Sequence, residues 1–341
     1  MKKLSLQPIQ ENPFNVGVTE HGAMSAHDAL REGGGDFNVY YAPAGFRPQG
    51  GHNSPGGWRS VKHQTSKGEV NSNYYVVRED THQPLGLHSN RYPQYKGYHH
   101  IADMIEELFP MSTTAVKLIN NGQRIIFTQQ LHEEIDLGDG DIIKPKVIWI
   151  DSFNGKWGTG CYSVMDRLFC MNQLIDRNML LKVRHTKNHE IRLNNRKHIL
   201  HESLMTAKKM ERIARILKDT EYTTREFSKL VETICPKQYG YWSNQEVSVD
   251  TWVANTRAIN VQQQEHEAML KYWIRETRNF NKNKWCAYNA VQSAEQHDIN
   301  TGHKNSALAI ENGIIKNIDG KGKGYAEKAK ELLLAGVDVG H

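Results

Sequence analysis

Two stretches of the sequence place lysine and arginine at helical spacing, so that one face of each predicted helix is positively charged. Side chains three, four and seven residues apart lie on the same face of an α-helix. Like charges that share a face repel each other unless an anion relieves them, and phosphate is an anion that such faces commonly bind. We therefore predict phosphate contacts at Lys208, Arg212 and Arg215 in the first stretch and at Lys271, Arg275 and Arg278 in the second.

Aromatic residues lie among the cations of the second stretch and directly after it. An unpaired base can stack on an exposed aromatic ring, which contributes about 1–3 kcal/mol. We predict this role for Trp285 or Tyr288. Trp273 and Phe280 share one helix face and are interpreted instead as core residues. A cationic face with interleaved rings is typical of proteins that bind single-stranded nucleic acid without reading its sequence.

Positive charge is concentrated in the middle of the chain. Residues 178–230 hold 13 lysines and arginines against 6 aspartates and glutamates, so this segment carries a net charge of +7 while the rest of the chain sums to −2. Concentrated charge attracts an anionic partner more strongly than evenly spread charge does. Arg184, His185 and Lys187 lie near the start of this segment, and we predict that they also contact phosphate. The alternative is an ordinary solvated helix surface.

The 17 histidines raise the question of a metal site. The pairs His185/His189 and His198/His201 have spacings that can present two imidazoles to one ion on a helix. However, neither pair forms an H-E-x-x-H motif, and no cysteine joins them. We predict no metal, and His185 and His189 can donate to phosphate instead.

No motif of a familiar catalytic or nucleotide-binding class is present in the sequence. A G-x-S-x-G turn, a dinucleotide fingerprint and a Walker loop are all absent. Residues 319–324 resemble a phosphate-cradling loop in composition only, and we interpret them as a linker. The sequence thus predicts no catalytic residues and no cofactor, and it favours a non-catalytic protein. An enzyme acting on nucleotides or DNA, with His185, His189 and Cys170 near its pocket, remains an alternative.

The predicted secondary structure that must position these residues changes from strands to helices along the chain. Short runs typical of strands come first, and two of them flank Asn121-Gly122, which favours a type I′ hairpin turn. Long amphipathic runs follow. This order predicts an α+β fold, an antiparallel β-meander in the N-terminal half followed by a helical, basic C-terminal half. The predicted domains are an N-terminal arm at 1–36, an antiparallel sheet region at 37–192 with a mobile loop at 45–68, a long-helix region packed on the sheet at 193–297, and a C-terminal linker and helix at 298–341.

Helical periodicity predicts five helices after residue 193, at 194–218, 223–234, 249–281, 284–296 and 325–334. The second has a threonine N-cap at Thr223 or Thr224. The first is expected to bury Leu200, Leu204, Ala207, Ala214 and Leu217.

Cysteine spacing and hydropathy indicate in which cellular compartment the protein is found. The four cysteines are far apart and form no C-x-x-C pair, which argues against a zinc ribbon or a disulfide framework and fits a reducing cytoplasm. No apolar run reaches the roughly 18–20 residues that cross a bilayer. The N-terminus is basic but has no apolar run typical of a secretory signal. We expect a cytoplasmic protein with no membrane partner.

Three short blocks carry a family resemblance. They are residues 77–81, residues 167–174 with Arg184-His185-Thr186 after them, and residues 285–291. Together and in this order they resemble a phage and plasmid family known as domain of unknown function 932. The sequence departs from that family at residues 151–155, where the family often has an Asn-Ser-His-Asp-Gly type of turn, and in the 45–68 segment.

The resemblance implies a mobile-element protein in the cytoplasm of a bacterial host, and it supplies no catalytic residues. A bent meander followed by basic helices resembles, more distantly, the single-strand annealing recombinases of phages. We expect a homo-oligomeric protein that binds and anneals single-stranded DNA in recombination or replication. RNA and duplex DNA are alternative ligands, and inhibition of a host protein is a further alternative function.

Overall fold

The protein is described by a computed structural model that covers residues 23–46, 59–60, 62–65, 68–71, 73–89, 97–131, 134–167, 173–185, 198–236, 249–302 and 307–336. The chain divides into two units. Unit 1 comprises Met1–Glu133, Lys144–Met165 and Ile175–Thr206, and unit 2 comprises Glu134–Ile143, Asp166–Leu174 and Ala207–His341.

The first strands of the chain form three small antiparallel sheets. They are β1 (Val39–Pro43), β2 (Gly45–Phe46), β3 (Arg59–Ser60), β4 (Lys62–Thr65), β5 (Gly68–Asn71), β6 (Asn73–Arg78) and β7 (Pro84–Ser89). The largest of the three has the order β1-β6-β7, while β2 pairs with β3 and β4 pairs with β5.

The prediction of a continuous loop at 45–68 is therefore wrong for the residues that the structure describes. Lys62 pairs with Asn71, and Gly45 pairs with Ser60, although these segments contain almost no aliphatic residues. A β-ladder is held by backbone hydrogen bonds, which polar side chains leave available. Residues 47–58 lie outside the described residues.

The main sheet is also antiparallel. Its strands are β8 (Thr113–Ile119), β9 (Arg124–Gln130), β10 (Ile135–Asp136), β11 (Ile142–Ser152), β12 (Thr159–Arg167) and β13 (Gln173–Val183). Their order is β13-β12-β11-β9-β8, with β10 paired to β11. Apart from the short strand β10, each strand neighbours the next one along the chain, so the predicted antiparallel meander is confirmed.

The hairpin between β8 and β9 has the predicted turn. Asn121 and Gly122 have φ angles of 57° and 95°, which are the values of a type I′ turn, and the Gln123 N–H donates to the Asn120 carbonyl at 3.2 Å. The Tyr98 hydroxyl donates to the Gly122 carbonyl at 2.7 Å and fixes the turn to a helix. Local sequence and a buried tyrosine thus set the register of the hairpin.

Two helices cover an apolar face within unit 1. They are α1 (Ala26–Glu32), capped by the Ser25 side chain, and α2 (Tyr98–Leu108). Ile101 and Ile105 of α2 are fully buried, as are Phe127 and Trp149 of the sheet. Alternate residues of β9 and β11 face this core, which is the period of two that a strand imposes.

The remaining helices belong to the second half of the chain, as predicted, and the fold is α+β. They are α3 (Ile199–Lys218), α4 (Thr224–Ile234), α5 (Val249–Asn279), α6 (Lys284–Ser293), α7 (Ala307–Ile318) and α8 (Tyr325–Leu333). A π-helical turn, Ala294–Ile299, continues α6 where the α-helix was expected to extend. Helix α7 was not predicted.

The helix predictions agree with the structure in most of their packing. Ala207, Ala214 and Leu217 of α3 are buried, but Leu200 is 39% exposed. Ile199, next to it and fully buried, takes the inward position in the first turn instead. Trp273 is in the core as predicted.

Among the residues that the structure describes, every helix is too short or too polar to span a bilayer.

A basic helix face and a buried Asp–His–Thr cluster

The last turns of α5 separate a buried face from a charged one. Tyr272, Trp273 and Glu276 are buried, whereas Arg275 and Arg278 are exposed. Trp273 stacks on Phe227 of α4 with ring centroids 4.6 Å apart and planes at 10°. The apolar anchor fixes the rotation of the helix about its axis, and so determines which residues face solvent.

The exposed face of α5 carries Lys271, Arg275 and Arg278, and Lys282 extends it beyond the helix end. We call these four residues the basic face. Lys271 is paired with Asp298 at 3.0 Å and lies 4.8 Å from the centre of the Tyr272 ring. Among the residues that the structure describes, no carboxylate pairs with Arg275, Arg278 or Lys282. Three exposed cations, two on the helix and one just after its end, are therefore available to an anion.

The electrostatic effect of this face reaches His297, in the π-helical turn. Burial lowers the pKa of His297 to about 4, and the positive charges of Arg275 and Lys271 act in the same direction, opposed by Asp298. His297 is therefore neutral at physiological pH. The lowered pKa of His297 is therefore mainly an effect of burial, to which the two cations add a smaller contribution.

A buried ionic network anchors α5 from inside unit 2. The Arg167 guanidinium donates to both carboxylate oxygens of Asp141, at 2.5 and 2.7 Å, and to Glu276 Oε2 at 2.6 Å. The Trp285 indole N–H donates to Asp141 at 3.0 Å. Arg167 and Glu276 have no accessible side-chain surface. Glu276 is next to Arg275 in the chain, so the network holds the basic face in place.

The prediction that Trp285 or Tyr288 stacks a base is corrected. Trp285 is 1% exposed and Tyr288 5% exposed, so neither ring presents a face to solvent. Trp285 instead lies near the Arg167 guanidinium, whose carbon is 5.7 Å from the ring centre. Both aromatics belong to the core of unit 2, because α6 is buried on nearly every side.

The basic residues of α3 differ in their availability. Lys208 and Arg212 are exposed. Arg215 is half exposed, but its guanidinium donates to Glu211 at 2.8 and 3.0 Å and to the Asp136 carbonyl at 2.9 Å. Arg215 is therefore already engaged within unit 2, and Lys208 and Arg212 are the better candidates for an external anion.

The predicted contacts near residue 185 lie in unit 1. Arg184 is exposed just after β13, while His185 is partly buried. Lys187 lies outside the described residues, as do His189 and Cys170. Arg184 and His185 thus lie in unit 1, whereas the predicted phosphate-binding residues of α3 and α5 lie in unit 2.

His185 takes part in a cluster that sequence reasoning did not predict. Its Nε2 lies 2.8 Å from Asp151 Oδ1 and 3.4 Å from the Thr159 hydroxyl. Thr159 donates to the other Asp151 oxygen at 2.8 Å, and the Ser152 N–H donates to Oδ1 at 2.5 Å. Asp151 has no accessible side-chain surface and His185 has 12%. Asp151 directly follows the apolar residues 147–150 of β11. A charged residue at that position was the one feature of the sequence that could have indicated the cluster.

The cluster sets the protonation of His185. Burial by itself lowers the pKa of this histidine, but the charge of Asp151 and the hydrogen bond to it outweigh burial and raise the pKa above its ordinary value. An imidazole held by a carboxylate in this way is a competent proton donor or acceptor. His88 makes a 2.6 Å hydrogen bond to the Phe153 carbonyl, and burial chiefly lowers the pKa of His88, with the charge of His185 acting in the same direction.

The loop at 319–324, which was interpreted as a linker, has internal hydrogen-bond partners in unit 2. The Glu295 carboxylate accepts from the Gly324 and Ala326 N–H groups at 2.7 and 2.8 Å. The loop at 319–324 thus meets an internal carboxylate at the start of α8. Over the described ranges, no three histidine, cysteine, aspartate or glutamate side chains come together to form a metal site.

Fold and site together define an α+β protein with an antiparallel meander and a helical part that bears an uncompensated basic face. The sequence matches the family described as Domain of unknown function (DUF932) over residues 84–314, which is more than half of the chain, and the protein belongs to that family. Comparisons with curated proteins and with solved structures return no match.

Proposed function

We propose that this protein binds nucleic acid without base specificity through the basic face of α5. One observation carries the proposal: Arg275 and Arg278 are exposed side by side without a described carboxylate partner, while buried Glu276 anchors the helix between them. A fixed row of guanidinium groups suits phosphates, which accept hydrogen bonds from the planar fork of arginine. The proposed role is in recombination or replication of a phage or plasmid.

Single-stranded DNA is the proposed form of the ligand. Ile274 lies among the cations of the basic face and is 50% exposed. An apolar side chain cannot bind phosphate, but it can contact the face of a base that is not stacked on its neighbours. Such bases are present in single strands. With Trp285 and Tyr288 buried, Ile274 is the apolar contact that supports this choice.

The test is fluorescence anisotropy with a mixed-sequence, labelled single strand. Replacing both Arg275→Glu and Arg278→Glu should weaken binding by at least about tenfold at 0.1 M salt, because two attractive charges become repulsive. The double variant Arg225→Glu/Lys328→Glu makes the same change in net charge at exposed positions of α4 and α8. It should bind nearly as wild type.

Equal loss in the two double variants would show that only net charge matters and would contradict a defined face. A duplex of the same sequence, measured in parallel, should bind more weakly. Equal affinity for duplex and single strand would count against the single-strand proposal but not against the basic face.

A second candidate function rests on the Asp151–His185 pair, which could move a proton in an enzyme acting on nucleotides or DNA. Buried thiols offer no alternative nucleophile among the described residues, since burial raises the pKa of Cys286 to about 12 and that of Cys161 well above its ordinary value. A turnover assay on single-stranded DNA and nucleotides should show activity that Asp151→Asn abolishes. Absence of turnover in wild type would remove this candidate.

A further inference from the structure

Large apolar side chains are exposed together on one face of the sheet β1-β6-β7. Tyr40 is 38% exposed, Tyr75 40% and Leu87 53%. Tyr75 pairs with Leu87 of β7 and with Ala42 of β1. Tyr40 pairs with Val77 of β6. Single exposed apolar residues are ordinary on a protein surface, whereas a contiguous group of them indicates a binding surface.

The opposite face of this sheet packs in the core of unit 1. Val76 is fully buried there. Its partner on β7 is Gly86, where any side chain would clash with the Phe153 carbonyl. Because successive side chains of a strand point to opposite faces, the two exposed tyrosines and the leucine point away from this core.

The outward residues of the three paired strands are all uncharged. We call them the sheet face, and they are Tyr40, Ala42, Tyr75, Val77, Pro84 and Leu87. The His82 ring packs against that of Tyr40, with centroids 6.3 Å apart and planes at 68°. An apolar surface offers phosphate neither a charge nor a hydrogen-bond donor. Its ligand must therefore present an apolar face of its own.

The size of the sheet face limits what can occupy it. Large apolar side chains have roughly 200–250 Å² of surface each, so the three exposed ones present on the order of 300 Å². A stable interface between proteins takes roughly 800 Å² from each partner. The sheet face by itself is therefore too small for a stable second copy. Exposed aromatic rings on a β-sheet stack two or three bases in a common class of RNA-binding domain, and the sheet face has the size for this.

The spacing of the two tyrosines favours bases that are separated from each other. Tyr75 lies two residues along β6 from Val77, the partner of Tyr40, so the tyrosines are diagonal neighbours. Such neighbours lie about 7–8 Å apart, roughly twice the 3.4 Å rise per base along one strand of a duplex. Two bases that stack on these rings cannot stack on each other, which requires a single strand.

We infer that the sheet face stacks unpaired bases of a single-stranded nucleic acid. Tyr40 and Tyr75 are the stacking rings, and Leu87 adds an apolar contact beside Tyr75. This role rests on the single-stranded ligand of the proposed function, but its residues belong to unit 1, whereas the basic face belongs to unit 2. The basic face contacts the phosphates of the strand, and the sheet face contacts its bases.

The experiment is fluorescence anisotropy with two labelled strands of equal length, one of mixed sequence and one abasic, which has the same phosphates but no bases. Wild type should bind the abasic strand at least about tenfold more weakly. Tyr40→Ala/Tyr75→Ala should weaken binding of the base-bearing strand by at least about tenfold and leave the abasic strand unchanged. Tyr40→Phe/Tyr75→Phe keeps both rings and should bind as wild type. Met111→Ala/Leu332→Ala, which removes exposed apolar side chains elsewhere, should also bind as wild type.

The sheet face and the basic face can fail separately. Arg275→Glu/Arg278→Glu should weaken both strands by the same factor, so the preference for the base-bearing strand should persist. Equal wild-type affinity for the two strands overturns the sheet face, and this result does not depend on whether a variant folds. Wild-type binding by the tyrosine-to-alanine variant overturns it as well. If that variant changes the sedimentation coefficient but not the preference for bases, the face contacts a second copy, and base stacking is excluded.

Discussion

Arg167 joins two carboxylates from distant parts of the chain and is the residue on which the position of α5 most depends. Because the guanidinium is fully buried, replacing Arg167→Met leaves the buried carboxylates of Asp141 and Glu276 without their cation. We expect a loss of about 3–5 kcal/mol in the free energy of unfolding, measured by urea titration. Lys271→Met, which breaks the exposed pair with Asp298, should change it by less than about 1 kcal/mol.

The His185–Asp151 pair should make the free energy of unfolding depend on pH. The pKa of His185 is raised in the folded protein, so its contribution is fully present below the unfolded value near 6.5 and is lost as pH rises through the folded value. The difference in unfolding free energy between wild type and Asp151→Asn should therefore decrease as pH rises above about 6.5. A wild-type advantage that grows with pH would contradict the assignment.

At the scale of single elements, α4 shows how local sequence alone can fix a helix. Thr223 accepts from the Glu226 N–H at 3.2 Å, and Glu226 accepts from the Thr223 N–H at 2.7 Å, which is a complete capping box. Thr223→Ala should cost about 1 kcal/mol in chemical denaturation. Thr233→Ala, in the last turn of the same helix, should be neutral or slightly stabilising because alanine is the better helix former. Equal losses at both positions would show that the cap is not the cause.

Features that depend on neighbours in the sequence could be predicted, whereas features that depend on distant residues could not. The cap of α4, the turn at Asn121-Gly122 and the exposure of Arg275 follow from neighbours a few residues away. Arg167 and Glu276 are 109 residues apart, and Trp285 and Asp141 are 144 apart. Such pairings depend on the tertiary fold, so the sequence marked Arg167 only as part of a family block. Trp285 was assigned to the surface because its burial depends on these same distant contacts.

At the scale of the whole molecule, the net charge of +5 hides an uneven distribution. Much of the positive charge is bound internally, as in Arg215 and Lys218, which hydrogen-bond to carbonyls of residues 136–138. Only cations without an internal partner can neutralise phosphates, and this neutralisation releases the counterions condensed on the strand. The number of such cations, rather than the total, should govern how salt affects affinity.

The salt dependence of single-strand binding should reflect the number of phosphates that are neutralised. If Arg275, Arg278 and Lys282 each neutralise one phosphate, the logarithm of the association constant should fall against the logarithm of salt with a slope of about −2. Binding isotherms at several salt concentrations measure it. Lys282→Gln should make the slope shallower by about 0.7, whereas Lys218→Gln should leave it unchanged. A slope near zero would exclude phosphate contact as the basis of binding.

Glu276 is buried and Arg275, next to it, is exposed, and this adjacency limits how the gene can change. Each added residue rotates the rest of an α-helix by about 100°. One codon inserted between Trp273 and Glu276 would turn either the carboxylate away from Arg167 or the indole ring away from Phe227. Substitutions at exposed positions of α5 outside the basic face should therefore be tolerated during divergence, whereas single-residue insertions or deletions in its last turns should be eliminated.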